Sequence, residues 1–334
     1  MSLTLLLIGG TGNISSAVVR LAAEAGHRTT ALTRGTRAVE LPSGVERVTG
    51  DARDPSTLAA LAARRFDVVV DFVAFEADDV RRDVAAFRGR VGQYVFISSA
   101  SVYGKPPPRY LVTEDAPLAN PWWDYARKKI EAEDVLREAH RAEGFPGTIV
   151  RPSYTYGEGW VPTTSGSDYT VVRRLRRGLE IVVPGDGTSL FVLTHAADFA
   201  RGLLGLLGRE EALGEAFHIT SDEVLSWNEI HETIARAVGV APRLVHVPSD
   251  FIARIDARRG ASLLGDKAWS LVFDNAKLRR LVPGFRARVP FAEGVRASIA
   301  WLEADPARQR IDADATVERI LAAWRRAMAA AEEP

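Results

Sequence analysis

The 334-residue chain balances 43 Lys and Arg against 43 Asp and Glu and contains no cysteine. Zero formal charge gives no global field for nucleic acid or an acidic membrane surface, and the missing thiols exclude disulfides, thiolate-bound zinc and thiol catalysis. The length exceeds one small core, so a domain of ordinary size with a smaller companion lobe is expected, in a reducing cytoplasm.

Residues 3–8 form an apolar run of about six residues, too short for a signal peptide or for a membrane helix of roughly 20 residues. With no basic residue before it and no cleavage site after it, the run predicts a buried strand of a soluble, unprocessed protein. It leads into Gly9-Gly10-Thr11-Gly12, after which Ile14, Ala17, Val18, Leu21 and Ala22 recur at helical spacing up to Gly26. Residues 27–32, 45–48, 66–70 and 94–97 predict further strands, the last two apolar on both faces, which implies a parallel sheet covered by helices. Residues 56–64 and 78–87 carry the helical period and supply covers. A sixth strand is predicted at 148–150 and a late strand returning to the sheet at 214–220. Loops rich in Pro and Gly at 105–108 and 161–166 are expected over the site. Helices resume after about residue 221, and 305–324 reads as a C-terminal helical cap.

A glycine turn between a buried strand and a helix lets the backbone approach a pyrophosphate, which the helix N-terminus then holds. Gly9, Gly10, Thr11, Gly12, Asn13 and Ile14 are therefore candidate cofactor contacts, with Ser15 standing where a third glycine is usual. The second strand ends near Thr33. An NAD-selective site would carry an acid there, but the chain reads Thr33-Arg34-Gly35-Thr36-Arg37. Arg34 and Arg37 suit the 2′-phosphate of NADP, which is favoured over NAD. Asp51, followed by Ala52, is placed either to accept from the adenine amino group or to form a turn or helix cap before Pro55.

Tyr125 and Lys129 are four residues apart in a segment of helix formers, so both project from one face. An ammonium about 4 Å from a phenol contributes roughly 4 kcal/mol at an effective dielectric near 20, which would lower the tyrosine pKa toward the working range. Ser98-Ser99-Ala100-Ser101 closes a buried strand, where ligands gather in open parallel sheets, and a serine there can bond a substrate oxygen as charge develops on it.

Gly-Gly-Thr-Gly after the first strand, Ser-Ser-Ala-Ser-Val-Tyr-Gly from Ser98, Tyr125-Ala-Arg-Lys-Lys129 and Arg151-Pro152-Ser153-Tyr154-Thr155-Tyr156-Gly157 together resemble the extended short-chain dehydrogenase/reductase family, the NAD-dependent epimerase/dehydratases. The resemblance continues through Gly185-Asp186-Gly187, His195-Ala196-Ala197-Asp198 and Phe217-His218-Ile219-Thr220-Ser221. It implies an α/β fold: a Rossmann doubly wound parallel sheet with a smaller, mostly C-terminal α/β substrate lobe. Residues 1–157 plus about 181–220 would form the dinucleotide-binding domain, and about 158–180 plus 221–334 the substrate-binding lobe. By the same resemblance Ser99, Tyr125 and Lys129 form the catalytic triad, with Lys129 also on the nicotinamide ribose. Pro152 and Ser153 would lie along the nicotinamide, Phe72, Val73 and Ala74 beside the cofactor, and Ser98 is a further candidate cofactor contact. Asp71 replaces a His or Asn frequent there. A homodimer through the helix carrying Tyr125 and the helix before it is also implied.

Dehydrating relatives carry an Asp-Glu pair after the catalytic Ser or Thr; here Ala100 and Ser101 stand there, so 4,6-dehydration is not expected. The arginines that grip a nucleotide diphosphate are missing from the stretches 190–192 and 263–266, and Tyr154 replaces an Asn that contacts the nucleotide. Arg258, Arg259, Arg173, Arg174, Arg176 and Arg177 are the candidates to compensate. Ser101, Trp123, Tyr154 and His195 are candidate substrate contacts. Trp122, Trp123 and Trp160 suit either stacking on a ring or core packing. The scattered histidines show no metal-like spacing. The expected function is NAD(P)-dependent oxidoreduction at a secondary alcohol or ketone of a sugar-like or small polar substrate. The alternatives are a nucleotide-sugar epimerase with tightly held NAD and an RNA-binding relative without catalysis. The Thr-Arg-Gly loop and the Asp71 region resemble plant chloroplast stem-loop RNA-binding relatives, but zero net charge and the intact Ser-Tyr-Lys set argue against that reading.

Overall fold

The computed structural model describes residues 2–37 and 39–332. Strands β1 (Thr4–Ile8), β2 (Arg28–Thr33), β3 (Glu46–Thr49), β4 (Phe66–Asp71), β5 (Val91–Ile97), β6 (Gly147–Pro152) and β7 (Ala216–Ile219) form one parallel sheet in the order β7-β6-β5-β4-β1-β2-β3. The predicted strands of the first 220 residues are all here. β5 starts at Val91 rather than at residue 94, because the polar Gln93 is buried inside it. Its amide donates to Thr148 Oγ1 and the Leu206 carbonyl and accepts from the Gly208 N–H, a satisfied polar group that an apolar pattern does not reveal.

Alternate side chains of β1 go to opposite faces. Leu5 and Leu7 pack with Val18, Val19 and Ala22 of α1 (Asn13–Glu24) and with Phe199 and Leu203 of the helix Ala196–Leu206. Leu6 and Ile8 join Leu58 of α2 (Pro55–Ala62), Val80 and Phe87 of α3 (Ala77–Phe87) and Leu136 of α4 (Asp124–Glu143). Each such side chain contributes about 1.5–3 kcal/mol on leaving water. The α2 start follows from Asp54, whose carboxylate accepts from the Ser56 and Thr57 N–H groups while Pro55 takes the first helical position. From β1 the chain turns to β2 and β3 on one side, while β4 lies on the other. The connections after β1 and β4 therefore diverge and leave a crevice at the strand C-terminal ends.

A second apolar core contains Tyr156, Val161, Val172, Phe191, Trp227, Ile230 and Phe291. Glu180–Pro184 pairs in parallel with Arg243–Val247, and Ile181 and Val183 pack into this second core. This strand lies outside the seven-stranded sheet: its apolar pattern suits either sheet, and a partner strand distant in sequence claims it. The C-terminal cap is a short turn at Pro306–Arg308 followed by a helix at Asp314–Glu332. Asp314 at its start takes Arg173 and Arg174 as partners. Among the described residues no helix is long and apolar enough to cross a membrane.

Candidate active site

A cleft of ≈ 520 Å³ opens at the C-terminal ends of β1, β2 and β4. Gly9, Thr11, Gly12, Asn13 and Ile14 line it from the first turn, and Thr33, Arg34 and Arg37 from the end of β2. Asp51 and Ala52 line it after β3; Phe72, Val73 and Ala74 do so after β4. Gly9 has φ +88°, and a Cβ there would stand 2.4 Å from Val73 Cγ1, so only glycine fits. Gly10 is corrected: it does not line the cleft, and a Cβ there would come within 3.0 Å of Ala31 and 3.2 Å of Val19, so its service is to seat α1 against β2. Ser15 performs a task the sequence did not disclose. Its hydroxyl accepts from the Gly12 N–H at 2.7 Å and donates to the Gly9 carbonyl at 2.6 Å, locking the turn.

These residues fit a dinucleotide. Gly12 supplies no side-chain cap to α1, which leaves the first-turn N–H groups and the positive helix end for an anion. Among the described residues Thr33 Oγ1 and Asn13 Oδ1 are buried without a hydrogen-bond partner, as expected of groups that meet ligand hydroxyls. The β2 loop brings Arg34 and Arg37 to the cleft and no acid; Arg37 also donates to the Thr11 carbonyl at 3.1 Å. Asp51 accepts from the Arg53 N–H at 2.9 Å, so it does form a turn, while the helix cap falls on Asp54. Arg53, Arg82 and Thr155 also line the cleft and were not singled out in the sequence. Asp71 earns its burial as a turn acceptor, taking the N–H groups of Val73 at 2.5 Å and Ala74 at 2.7 Å.

Beside this cleft, β5 delivers Ser99 and α4 delivers Tyr125 and Lys129. The buried Lys129 ammonium donates to the carbonyls of Ala74 at 2.8 Å and Ile97 at 2.9 Å and lies 4.6 Å from the Phe96 ring centroid. Burial pulls its pKa down to about 8, against the upward pull of Asp71, Glu133 and Asp79. Tyr125 packs between Phe75, at 5.3 Å between ring centroids, and Trp123, at 4.8 Å. Burial pushes its phenol above the ordinary value, and the Ser99 hydroxyl pulls it back in part. The expected lowering by Lys129 is therefore corrected: the ammonium makes its closest contacts with two backbone carbonyls, and desolvation dominates the phenol. Ser99 Oγ lies 3.0 Å from Ser101 Oγ and accepts from the Ser101 N–H at 3.2 Å.

Under these groups runs a buried polar network. Glu133, four residues beyond Lys129, takes the Ser98 hydroxyl at 2.6 Å and Arg151 in a two-pronged pair at 2.9 and 2.7 Å. Arg151 also donates to the Tyr103 hydroxyl at 2.8 Å, which meets His218 Nε2 at 2.5 Å. Burial holds His218 down to about 3. The network ties β5, α4, β6 and β7 together behind the catalytic candidates, and it engages the Ser98 hydroxyl that the sequence assigned to the cofactor. Glu133 had a legible signal, the helical repeat after Lys129.

The candidate substrate contacts are joined to distant segments. Asn120, missed in the sequence, donates to the carbonyls of Ser101 at 2.8 Å and Gly265 at 2.7 Å and accepts from the Trp123 N–H at 3.1 Å. It thereby docks the π-helical turn Leu263–Lys267 against the start of α4. There Asp266 pairs with Lys267 at 3.5 Å, and the Lys267 ammonium lies 5.2 Å from the Trp123 ring centroid and 5.1 Å from that of Tyr154. Tyr154 meets Ser167 Oγ at 2.6 Å, and Ser153 meets Thr194 Oγ1 at 3.0 Å at the end of β6 beside Pro152. His195 accepts from the Ala197 N–H at 3.2 Å as a helix cap and packs edge-on against Tyr156. Four of the six candidate compensating arginines are engaged: Arg173 and Arg174 with Asp314, Arg176 with Glu303, and Arg259 with the Ser165 carbonyl, although Arg259 Nη1 is buried without a partner among the described residues.

Comparison with known proteins agrees with this geometry. The family described as the NAD dependent epimerase/dehydratase family matches residues 5–220. A 2'-dehydrokanamycin reductase of Streptomyces kanamyceticus is 30% identical over 290 residues, covering 86% of this chain and 81% of that one. The chloroplast stem-loop binding protein of 41 kDa b from Arabidopsis thaliana is 30% identical over 264 residues, covering 74% and 67%. In three dimensions the epimerase Mth375 of Methanothermobacter thermautotrophicus superimposes with a TM-score of 0.75 at 22% identity, over 93% of this chain and 95% of that one.

Proposed function

This chain belongs to the NAD-dependent epimerase/dehydratase family, and from that premise we propose that it interconverts a ketone and a secondary alcohol on a sugar-like or small polar substrate, with NADP preferred over NAD. The reading rests on one observation above the others, the convergence of Ser99, Tyr125 and the buried Lys129 ammonium beside the dinucleotide-fitting cleft. When bound, the nicotinamide supplies or takes the hydride. Ser99 donates to the substrate oxygen as it gains negative charge. Tyr125, kept in its phenol form by burial, gives that oxygen a proton in the reductive direction. Lys129 keeps a third N–H beyond its two carbonyl partners and holds positive charge near the phenol, which favours the phenolate left behind.

The preference for NADP is supported by Arg34 and Arg37 at the end of β2, where an acid would repel the 2′-phosphate. The reductase direction is supported by the relative named as a 2'-dehydrokanamycin reductase, which matches most of this chain. A nucleotide-sugar epimerase is disfavoured because four of the six candidate arginines, Arg173, Arg174, Arg176 and Arg259, are already engaged with Asp314, Glu303 and the Ser165 carbonyl. Dehydration is disfavoured by Ala100 and Ser101 after the candidate serine. The test is to offer 2'-dehydrokanamycin with NADPH or NADH and follow loss of the reduced cofactor, with UDP-glucose as the competing substrate. Reduction of the former with NADPH is expected. Conversion of UDP-glucose to its epimer without added cofactor would replace this reading by the epimerase.

A further inference from the structure

Trp160 stands in the wall of the dinucleotide cleft, yet its indole is 41% exposed. Its chain neighbours are fixed on both sides. Asn13 Nδ2 donates to the Thr155 carbonyl at 3.3 Å, and Ser298 Oγ donates to the Gly157 carbonyl at 2.7 Å. Glu158 pairs with Arg20 of α1 at 3.8 Å, and Gly159, with φ +78°, lies so close to the Trp301 ring that a Cβ would stand 2.7 Å from it. The Trp160 N–H donates to the Gly157 carbonyl at 3.1 Å, closing a turn. Immediately beyond, Val161 is fully buried and its N–H donates to the Ser167 carbonyl. The chain thus forms a strap over the start of α1, anchored before and after Trp160, with a large apolar side chain left uncovered between the anchors. Asn13 lies in the same wall, and its Oδ1 is buried without a partner among the described residues.

From this geometry we infer that Trp160 is the cover of the cofactor cleft, its indole closing over the bound dinucleotide near the α1 N-terminus and slowing its release. The inference rests on the nicotinamide-cofactor reading and deepens it. An exposed indole removes its apolar surface from water when a ligand fills the cleft, and the strap holds it there without reordering the chain. Asn13 is held beneath the strap, with its amide nitrogen on the Thr155 carbonyl and its Oδ1 packed against Gly157. The indole is also an energy donor to a reduced nicotinamide, so the contact has its own optical signature.

The experiment uses the full chain with NADPH as the probe, in the wild type, Trp160→Phe and Trp160→Ala. Because the side chain is exposed, both variants are expected to keep the wild-type melting temperature. Excitation of tryptophan should sensitise NADPH emission in the wild type, and Trp160→Phe should lose the larger share of that transfer. When bound NADPH is chased with excess NADP, Trp160→Ala should release it about tenfold faster, since loss of an interface contact acts mainly on the dissociation rate. Trp160→Phe, which keeps an aromatic ring, should release it at a rate between the two. Unchanged release from Trp160→Ala, or undiminished energy transfer in Trp160→Phe, overturns the inference while leaving the cofactor reading intact. A wild type that binds neither NADPH nor NADH overturns both.

Discussion

The dinucleotide cleft and the side-chain cluster around Trp123 are built by different means. The cleft is made largely of short consecutive runs at strand ends: Thr11 to Ser15 after Gly9, Thr33 to Arg37 and Phe72 to Ala74. The cluster joins Ser101, Asn120, Trp123, Tyr154, Asp266 and Lys267 through side-chain contacts across long loops. A ligand held by backbone turns leaves a local pattern in the sequence. One held by side chains from separate segments leaves almost none.

Substitutions can break or sharpen that contrast. The largest effect is expected from Tyr125→Phe, beside the cluster: turnover should fall about 10²–10⁴-fold through loss of the proton donor, with NADPH affinity kept near wild type. Single-turnover kinetics and cofactor titration check it; retained turnover would remove Tyr125 from the chemistry. Next is Glu133→Ala. Glu133 and Arg151 are 0% and 1% exposed, and an uncompensated buried guanidinium should cost about 3–5 kcal/mol of stability, measurable by urea unfolding. Glu133→Gln should recover part of it.

Within the cleft alone, Arg34→Asp should weaken NADPH about 10–100-fold through loss of a charge-assisted bond and added repulsion, and leave NADH nearly unaffected. Equal losses for both cofactors would place the guanidinium away from the 2′-phosphate. The mildest change comes from pH. Lys129, lowered to about 8 by burial, is charged below that value and neutral above it. If its charge is required, kcat/KM for NADPH, which reports the free enzyme, should be flat below pH 8 and fall about tenfold per unit above it. A profile flat through pH 9.5 would mean that neutral Lys129 suffices.

Much of the first half was legible because β1, β4 and β5 are buried on both faces and so read as unbroken apolar runs. Gly9 was legible because its φ and its contact with Val73 admit no other residue. Less was legible where burial is polar. Gln93 hid the start of β5, and Asn120 gave no signal beyond standing before Pro121, since the value of a buried amide depends on partners the sequence does not name.

The sequence by itself determined the strand, turn and helix units, the cleft residues that follow those strands, and the helical spacing that sets Tyr125 and Lys129 on one face. Only the tertiary structure decided that Glu180–Pro184 pairs with Arg243–Val247, that Ser98 bonds Glu133, and that burial raises the Tyr125 phenol instead of letting Lys129 lower it. The first set follows from period and backbone sterics, which act between near neighbours. The second depends on which distant groups are left without water and which of them find each other there.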